Sequence, residues 1–255
     1  MFRPHLFRFA FIAFFLVTAL APAAGNALEF GARGYYWFPT LKGDLQVDTD
    51  SVKGTKVDFK DTLGIDNKNI PSVEAFAGIG HHHLSLMYTH MNYTGSATLT
   101  NVVFNGTTYN GLTDSDFRLR MLDAEYQYDL INLENILAGF SIGVLGKLKY
   151  INGEANLKGA PGESKNTFDV AVPMIGAGAH VGILLNILEA RAKVAGIGYS
   201  GSYCYEGLAE VSYTPFPFLD LAGGYRYMKL KIDDISHVTA DSEIAGPYLS
   251  LTVSF

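Results

Sequence analysis

The sequence predicts an all-β chain folded as a transmembrane antiparallel β-barrel, an up-and-down meander of about ten strands within a range of roughly 8 to 12. Three observations predict it. The chain ends in a stretch where Leu249, Leu251, Val253 and Phe255 fall on one parity and Tyr248, Ser250, Thr252 and Ser254 on the other. That is the period of a strand with one apolar face. The same alternation recurs along the chain from Leu28 onward. Beyond the N-terminal region, no stretch approaches the roughly 20 consecutive apolar residues of a spanning helix. A membrane-embedded chain of this kind must close as a barrel, because lipid satisfies no backbone hydrogen bonds.

The length of 255 residues suits one large all-β domain. Arg3 and Arg8 precede the apolar run Phe9 to Leu20, and Ala21, Ala23, Ala24, Gly25 and Ala27 follow. This is the three-part layout of a secretory signal, with an apolar run too short to anchor. Cleavage is expected after Ala27, with Ala23 as the alternative, leaving residues 28–255 as a single outer-membrane barrel domain. Removing residues 1–27 takes away two arginines and no acids, so the formal charge moves from −6 to −8. An acidic mature chain argues against nucleic acid as a partner. Cys204 is the single cysteine, which excludes an intramolecular disulfide. No cysteine lies in the cleavage region, which argues against a lipid-anchored lipoprotein.

The elements follow in order. The first strand sets Leu28, Phe30, Ala32, Gly34, Tyr36 and Phe38 against Glu29, Arg33, Tyr35 and Trp37. Pro39 to Asn69 reads as a long polar excursion with a hairpin of its own through Leu45–Val47 and Lys56–Phe59. A second strand, about Ser72 to Gly80, returns through a turn at His81 and His82 into Leu84, Leu86 and Tyr88. Thr94 to Ser115 reads as a polar loop, with Asn-Gly pairs at Asn105 and Asn110 suited to tight turns. The fourth strand sets Leu122, Ala124, Tyr126 and Tyr128 against Asp123, Glu125, Gln127 and Asp129. Because Phe117, Leu119 and Met121 lie on the opposite parity, a bulge or boundary is expected near Met121.

After a short turn at Asn132 to Asn135, Phe140, Ile142, Val144, Leu148 and Tyr150 oppose Ser141, Lys147 and Lys149. Asn152 to Asn166 reads as a further polar loop. Phe168, Val170, Val172 and Met174 open the sixth strand. Leu188 to Val194, Tyr205 to Tyr213 and Leu219 to Tyr227 give the next three, and Asp233 to Gly246 reads as the last polar loop. Connections alternate long and short, broken only at Tyr199 to Tyr203. The long ones are expected to face outward and the short ones the periplasm.

The charges decide which face meets lipid. On the seventh strand, the wrong parity would place Arg191 and Lys193 in lipid at roughly 2–4 kcal/mol each, against the roughly 5–15 kcal/mol that holds a domain folded. The expected lumen set is therefore Glu29, Arg33, Glu74, Asp123, Glu125, Lys147, Lys149, Glu189, Arg191, Lys193, Glu206, Glu210, Asp220 and Arg226. Leu249, Leu251, Val253 and Phe255 form the C-terminal assembly signature. Tyr36, Phe38, Tyr128, Tyr150, Tyr213 and Tyr227 sit near strand ends, as an interfacial girdle requires. The closing strand should pair with Leu28–Phe38 and Leu219–Tyr227. Its small Ser250, Thr252 and Ser254 make the seam beside Arg33 and Glu29 the roomiest part of the lumen wall.

At Leu28-Glu29, at Val57 to Asp66 with its Leu63-Gly64-Ile65-Asp66 centre, at Leu122 to Leu130 with Tyr126 and Tyr128, and through Gly143, Tyr150 and Gly153, the chain resembles an uncharacterised family of Gram-negative outer-membrane β-barrel proteins. The resemblance spans most of the mature chain. It implies fold and location and supplies no catalytic residues.

No constellation rises to a catalytic, metal or cofactor site. His81, His82 and His83 alternate faces in a strand and cannot converge on one ion unless the turn curls, so they read as a polar periplasmic turn, with a metal or pH-sensing site as the alternative. Asp48, Asp50, Asp58, Asp61 and Asp66 lack EF-hand spacing and read as solvated loop charge, with cation binding as the alternative. Asp233, Asp234 and His237 are the nearest approach to a general acid–base pair, while Ser85 and His90 fall on opposite faces. The expectation is a non-enzymatic barrel, structural or acting through its loops, with a largely occluded charged lumen, since about eight strands suffice for side chains to fill one. The alternatives are a narrow porin-like path for small solutes or ions, and a hydrolase at the rim. Expected partners are outer-membrane lipids and, during biogenesis, the barrel assembly machinery.

Overall fold

The computed structural model describes residues 28–133, 139–183 and 187–255. The expected signal segment, residues 134–138 with the second half of the turn expected at Asn132 to Asn135, and residues 184–186 lie outside them. The described residues form twelve strands: β1 (Leu28–Trp37), β2 (Thr40–Val47), β3 (Val57–Asp58), β4 (Ile70–Ile79), β5 (His82–Phe104), β6 (Thr107–Asn132), β7 (Phe140–Gly159), β8 (Gly162–Gly182), β9 (Leu188–Tyr199), β10 (Ser202–Phe216), β11 (Leu219–Ile235) and β12 (Val238–Ser254). Ten of them close a ring in the order β1, β4 through β12, with β12 pairing back onto β1 from Gly31 opposite Ser254 to Trp37 opposite Tyr248. Every neighbour is antiparallel. The ten-stranded meander and both expected neighbours of the closing strand are what the structure contains.

The final residue completes the seam. Phe30 N donates to Phe255 O at 3.0 Å and Phe255 N donates to Phe30 O at 2.8 Å, and the two rings lie 6.0 Å apart. Along the ring exterior, Val73, Leu86, Leu122, Val144, Leu148, Ile175, Val194, Val211, Leu221, Leu249 and Leu251 are all exposed. The charged parity faces in. A lipid-facing apolar band outside and polar residues inside reverse the arrangement of a soluble barrel.

The two ends differ in height. At the short-turn end, Gly80-His81 and Pro217-Phe218 reverse the chain, and the strands stop close to their turns. At the tall end the strands run on, which corrects the reading of three polar stretches as loops. Thr94–Ser115, Asn152–Asn166 and Asp233–Gly246 are almost wholly strand. Apart from Leu112, their outward residues are mostly polar because they stand in water, while the inward residues Ala97, Leu99, Val102, Phe104, Tyr109 and Leu157 pack together. The β5–β6 hairpin turns on Asn105 (φ 45°) and Gly106 (φ 77°), the left-handed pair that matches strand twist in a two-residue hairpin.

The bulge expected near Met121 is absent, and β6 runs through it in unbroken register with β5 and β7. What changes there is the lining. Phe117, Leu119, Met121, Asp123, Glu125, Gln127 and Asp129 all point inward on one parity and all are buried. The interior is apolar above Met121 and charged below it.

Residues 39–69 also depart from a simple polar excursion. The expected hairpin is present as β2 and β3, paired at Asp44–Asp58 and Leu45–Val57. β2 adds to the tall part of β12, taking the place that β1 leaves vacant by ending at Trp37. Beyond β3 the chain crosses to β5, where Ile65 bridges Gly95. Ser115 Oγ donates to Leu63 O at 3.0 Å, and the Phe59 ring sits 5.1 Å from that of Phe117. A Cβ on Gly95 would collide with the backbone of Leu63 and Gly64, so this close crossing requires glycine. The segment is a strap that completes the wall and places Val57, Phe59, Leu63 and Ile65 inside an apolar cap.

Candidate functional site: a charged lumen beneath an apolar cap

Below the cap, strands β6, β7, β9, β10 and β11 aim their polar parity at the axis. Lys149 is 0% exposed, with Nζ 2.6 Å from both Asp123 carboxylate oxygens and 3.1 Å from Glu206 Oε2. Lys147 contacts Glu206 Oε1 and lies 2.9 Å from Glu125 Oε2. Glu125 Oε1 accepts from Lys193 Nζ at 2.6 Å. At the other end of this chain of charges, Arg226 lies 3.7 Å from Asp123 Oδ2, with its guanidinium 4.9 Å from the centre of the Trp37 ring. Four cations thus interleave with three carboxylates across the barrel. Such a layer is costly to desolvate, and it holds because each buried charge has at least one opposite partner.

A second cluster closes the β9–β10–β12–β1–β4 side. Glu210 Oε1 is 2.7 Å from Arg191 and 3.7 Å from Arg33, and Arg33 lies 3.7 Å from Glu74. Tyr248 donates to Glu210 Oε2 at 2.5 Å, Tyr35 donates to Glu74 at 2.5 Å, and Arg33 Nε donates to Thr252 at 2.7 Å. Glu189 pairs with His180 at 3.2 Å. Of the fourteen residues in the expected lumen set, Glu29 and Asp220 are outside every ion pair among the described residues.

The sequence reading left out several members. Tyr35, Tyr248 and Thr252 carry hydroxyls on the inward parity, and Asp129 bonds His83 at 2.9 Å and Gln127 at 2.7 Å. Parity marked all of them. Counting only formal charges passed over the hydroxyls, while Asp129, charged and on the right parity, was left out of the set.

Above the charged layer, Trp37, Met91, Tyr93, Leu119, Met121, Ile151 and Met228 fill the section, each no more than 1% exposed. Cys204 is buried there too. Below it, a cavity of about 510 Å³ opens at the short-turn end, lined by Glu29, Arg33, Glu74, Gln127, Arg191, Lys193, Asp220, Thr252 and Ser254 among others. Its lining comes from all ten strands of the ring, the closing seam beside Arg33 and Thr252 being one part of it. Between cavity and cap, a void beside Tyr35, Lys147, Glu206 and Tyr248 measures about 40 Å³, space for about one water.

The other constellations do not assemble. His81 Nδ1 meets the Asp129 carbonyl at 2.7 Å, His82 meets the Tyr126 hydroxyl at 2.6 Å on the outer face, and His83 turns inward to Asp129. Asp58 Oδ1 accepts from the Lys60 and Asp61 amides, and Asp48 Oδ1 from Gly54 N, so these loop carboxylates brace their own backbone. His237 lies 3.4 Å from Asp50. Ser85 points inward and His90 outward. No group of three or more metal-ligating side chains exists among the described residues.

No protein-family model matches the chain, and no curated protein matches it. Among solved structures, it is similar to Neisserial surface protein A at 14% identity over 91% of this chain and 100% of that one, with a TM-score of 0.37. It is similar to the transport unit of the autotransporter AIDA-I from Escherichia coli at 11% identity over the full length of both, with a TM-score of 0.43. It is also similar to the P. putida toluene transporter TodX at 9% identity over 92% and 91%, with a TM-score of 0.32. The closed ring with its apolar exterior is by itself the fold of an outer-membrane β-barrel.

Proposed function

We propose that the chain is a non-enzymatic outer-membrane protein with a closed lumen, whose role is structural or is exerted from its water-facing extensions. The tall end faces outward and the short-turn end the periplasm, because single-chain barrels keep short periplasmic turns and taller external connections. The observation that carries the reading is the pair of stacked seals. The interleaved charges from Lys193 to Arg226 cross the lumen beneath the cap, with a void of about 40 Å³ among them, and the cap places Trp37, Tyr93 and Met91 across the section. Partners on this reading are outer-membrane lipids around the apolar band and the barrel assembly machinery at the Phe255 strand.

A narrow path is the second reading, favoured by the periplasmic cavity. Vesicles reconstituted with the folded protein and challenged with small sugars and amino acids separate the two. The closed lumen predicts swelling rates equal to those of protein-free vesicles, and solute entry that scales with protein content would defeat it. For the rim hydrolase, lipid or peptide turnover that disappears with His237→Ala would establish activity, and the closed-barrel reading predicts no turnover.

A further inference from the structure

We propose that the upper edge of β8 docks an extended segment of another molecule as a further strand, with apolar residues on the segment's inner parity and lysine or arginine on its outer one. The edge follows from the ladders. Gly182 N donates to Gly139 O and Ile183 N donates to Leu188 O, so even-numbered residues of β8 bond β7 and odd-numbered ones face β9. The β7 ladder runs unbroken up to Gly159 opposite Gly162, whereas the β9 ladder stops at Ile175 opposite Gly196. Pro173, the next odd residue, has no N–H to continue it, and β9 itself ends at Tyr199. Above that point Thr167, Asp169 and Ala171 turn their N–H and C=O groups toward a place that no strand of the ring fills.

The neighbouring tall edges are covered. On β5, Thr55 N donates to Val103 O at 2.7 Å and Ile65 bridges Gly95, so the strap closes that side. On β11, Ser202 Oγ accepts from Asp233 N at 3.0 Å. On β8 the cover is confined to the tip, where Asn105 Nδ2 donates to Lys165 O at 3.1 Å. The apolar cluster is open at the same place. Of the five hydrophobic residues that pack against it while only partly buried, Val170 and Val172 lie on β8 and Ile235 on β11, the strand across the gap. Apolar side chains on the inner parity of an added strand would cover them. On the outer parity, Asp169 accepts from Tyr150 and Asn152 through Oδ1 alone. Asp169, Asp233 and Asp234 are outside every ion pair among the described residues, so the rim of the gap favours a partner with cations on that parity. A second copy of this chain is disfavoured, because pairing β8 with itself about Asp169 sets two carboxylates opposite each other.

The inference rests on the reading that the chain acts from its water-facing extensions, and binding is measured separately from passage. The test is fluorescence anisotropy of a labelled octapeptide of alternating lysine and valine, titrated with the full-length folded protein in uncharged micelles at physiological salt, with empty micelles as the blank. Saturable binding is expected, weaker by about tenfold or more when every backbone nitrogen of the peptide is methylated, because strand addition depends on main-chain hydrogen bonds. Ala171→Pro removes an edge N–H that the β7 ladder does not use and should weaken binding about fivefold. Asp169→Asn should weaken it about threefold, and Asp114→Asn, at an exposed carboxylate of β6 away from the edge, should leave it unchanged. A shift in gel migration on boiling reports that each variant is folded. Bound peptide should also slow hydrogen exchange at the Thr167, Asp169 and Ala171 amides. Absence of binding, equal binding of the methylated peptide or of a glutamate and valine peptide, unchanged affinity in folded Ala171→Pro, or self-association of the protein that the peptide displaces would overturn the assignment. Peptide binding without solute entry into vesicles supports both readings. Binding with solute entry supports this one and defeats the closed lumen, while no binding and no entry overturns this one and leaves the closed lumen standing.

Discussion

Two halves of one interior meet at Met121, and they are stabilised in opposite ways. Toward the tall end, the inward parity is apolar and the section is filled by Trp37, Met91, Tyr93, Phe59 and Phe117. Toward the short-turn end, the same parity carries Asp123, Glu125, Lys147, Lys149 and Glu206, and a cavity remains. The difference follows from what lies outside. Where the exterior meets lipid, the apolar side chains are needed on the outer face and the interior receives the polar ones. Where the exterior meets water, the ordinary arrangement of a soluble protein returns and the apolar side chains go in. A single strand such as β6 serves both halves without changing register.

The largest expected effect tests the charged half against the apolar one. Lys149→Met removes the partner of Asp123 and Glu206 and leaves buried carboxylates short of compensation, at a cost of about 3–5 kcal/mol. Met91→Leu, an equally buried position in the cap, exchanges similar volumes and costs under about 1.5 kcal/mol. Urea unfolding of both in micelles reads the contrast, and equal stability would mean that the lumen charges are solvated rather than sealed.

The exterior gives the next effect. Val211 and Leu112 are both exposed outward-facing residues, but Val211 lies in the lipid band and Leu112 on the tall hairpin. Val211→Arg should lose about 2–4 kcal/mol of folding free energy, whereas Leu112→Arg should stay within about 0.5 kcal/mol. The folded fraction after refolding into vesicles measures both. Similar losses at the two positions would move the membrane boundary.

The smallest effect lies on the water-facing hairpin. Glu154, four residues past the girdle position Tyr150, accepts from Lys165 at 2.9 Å and lies 3.3 Å from Arg118. The hydrogen bond from Lys165 holds its carboxyl below the usual range, against a smaller opposing effect of burial. A lowered folded value means that the pair stabilises the hairpin above the carboxyl's unfolded value, about 4.3, and that this is lost as pH falls through the lower folded value. Lys165→Met should cost about 0.2–1 kcal/mol near neutral pH. Hydrogen exchange at the β7–β8 tip should register that difference at pH 7 and lose it in strong acid.

Ten strands, their pairing order and the closing seam were legible because period two survives in every segment and turn residues punctuate it. Height was not. Alternation reports which residues share a face and carries no information about whether that face meets lipid or water, so Thr94–Ser115 read as a loop when its alternate residues were already those of a cap. The apparent parity break at Met121 has the same origin, since apolar residues move from inside to outside there while the backbone continues unchanged. The strap was half legible: its hairpin was visible at Leu45 and Lys56, but the burial of Phe59 against Phe117 depends on β1 ending at Trp37, which no local pattern states. At the lumen, formal charge identified most of the cations and carboxylates, while the hydroxyls of Tyr35 and Tyr248, already on the inward parity, showed their carboxylate partners only once the strands were brought together.

The closed lumen is the central claim, and recording single channels from the purified folded protein in planar bilayers tests it most directly. The stacked charge layer and apolar cap predict a flat trace at all holding voltages short of membrane breakdown. Regular, ion-selective conductance steps of uniform size would contradict the account.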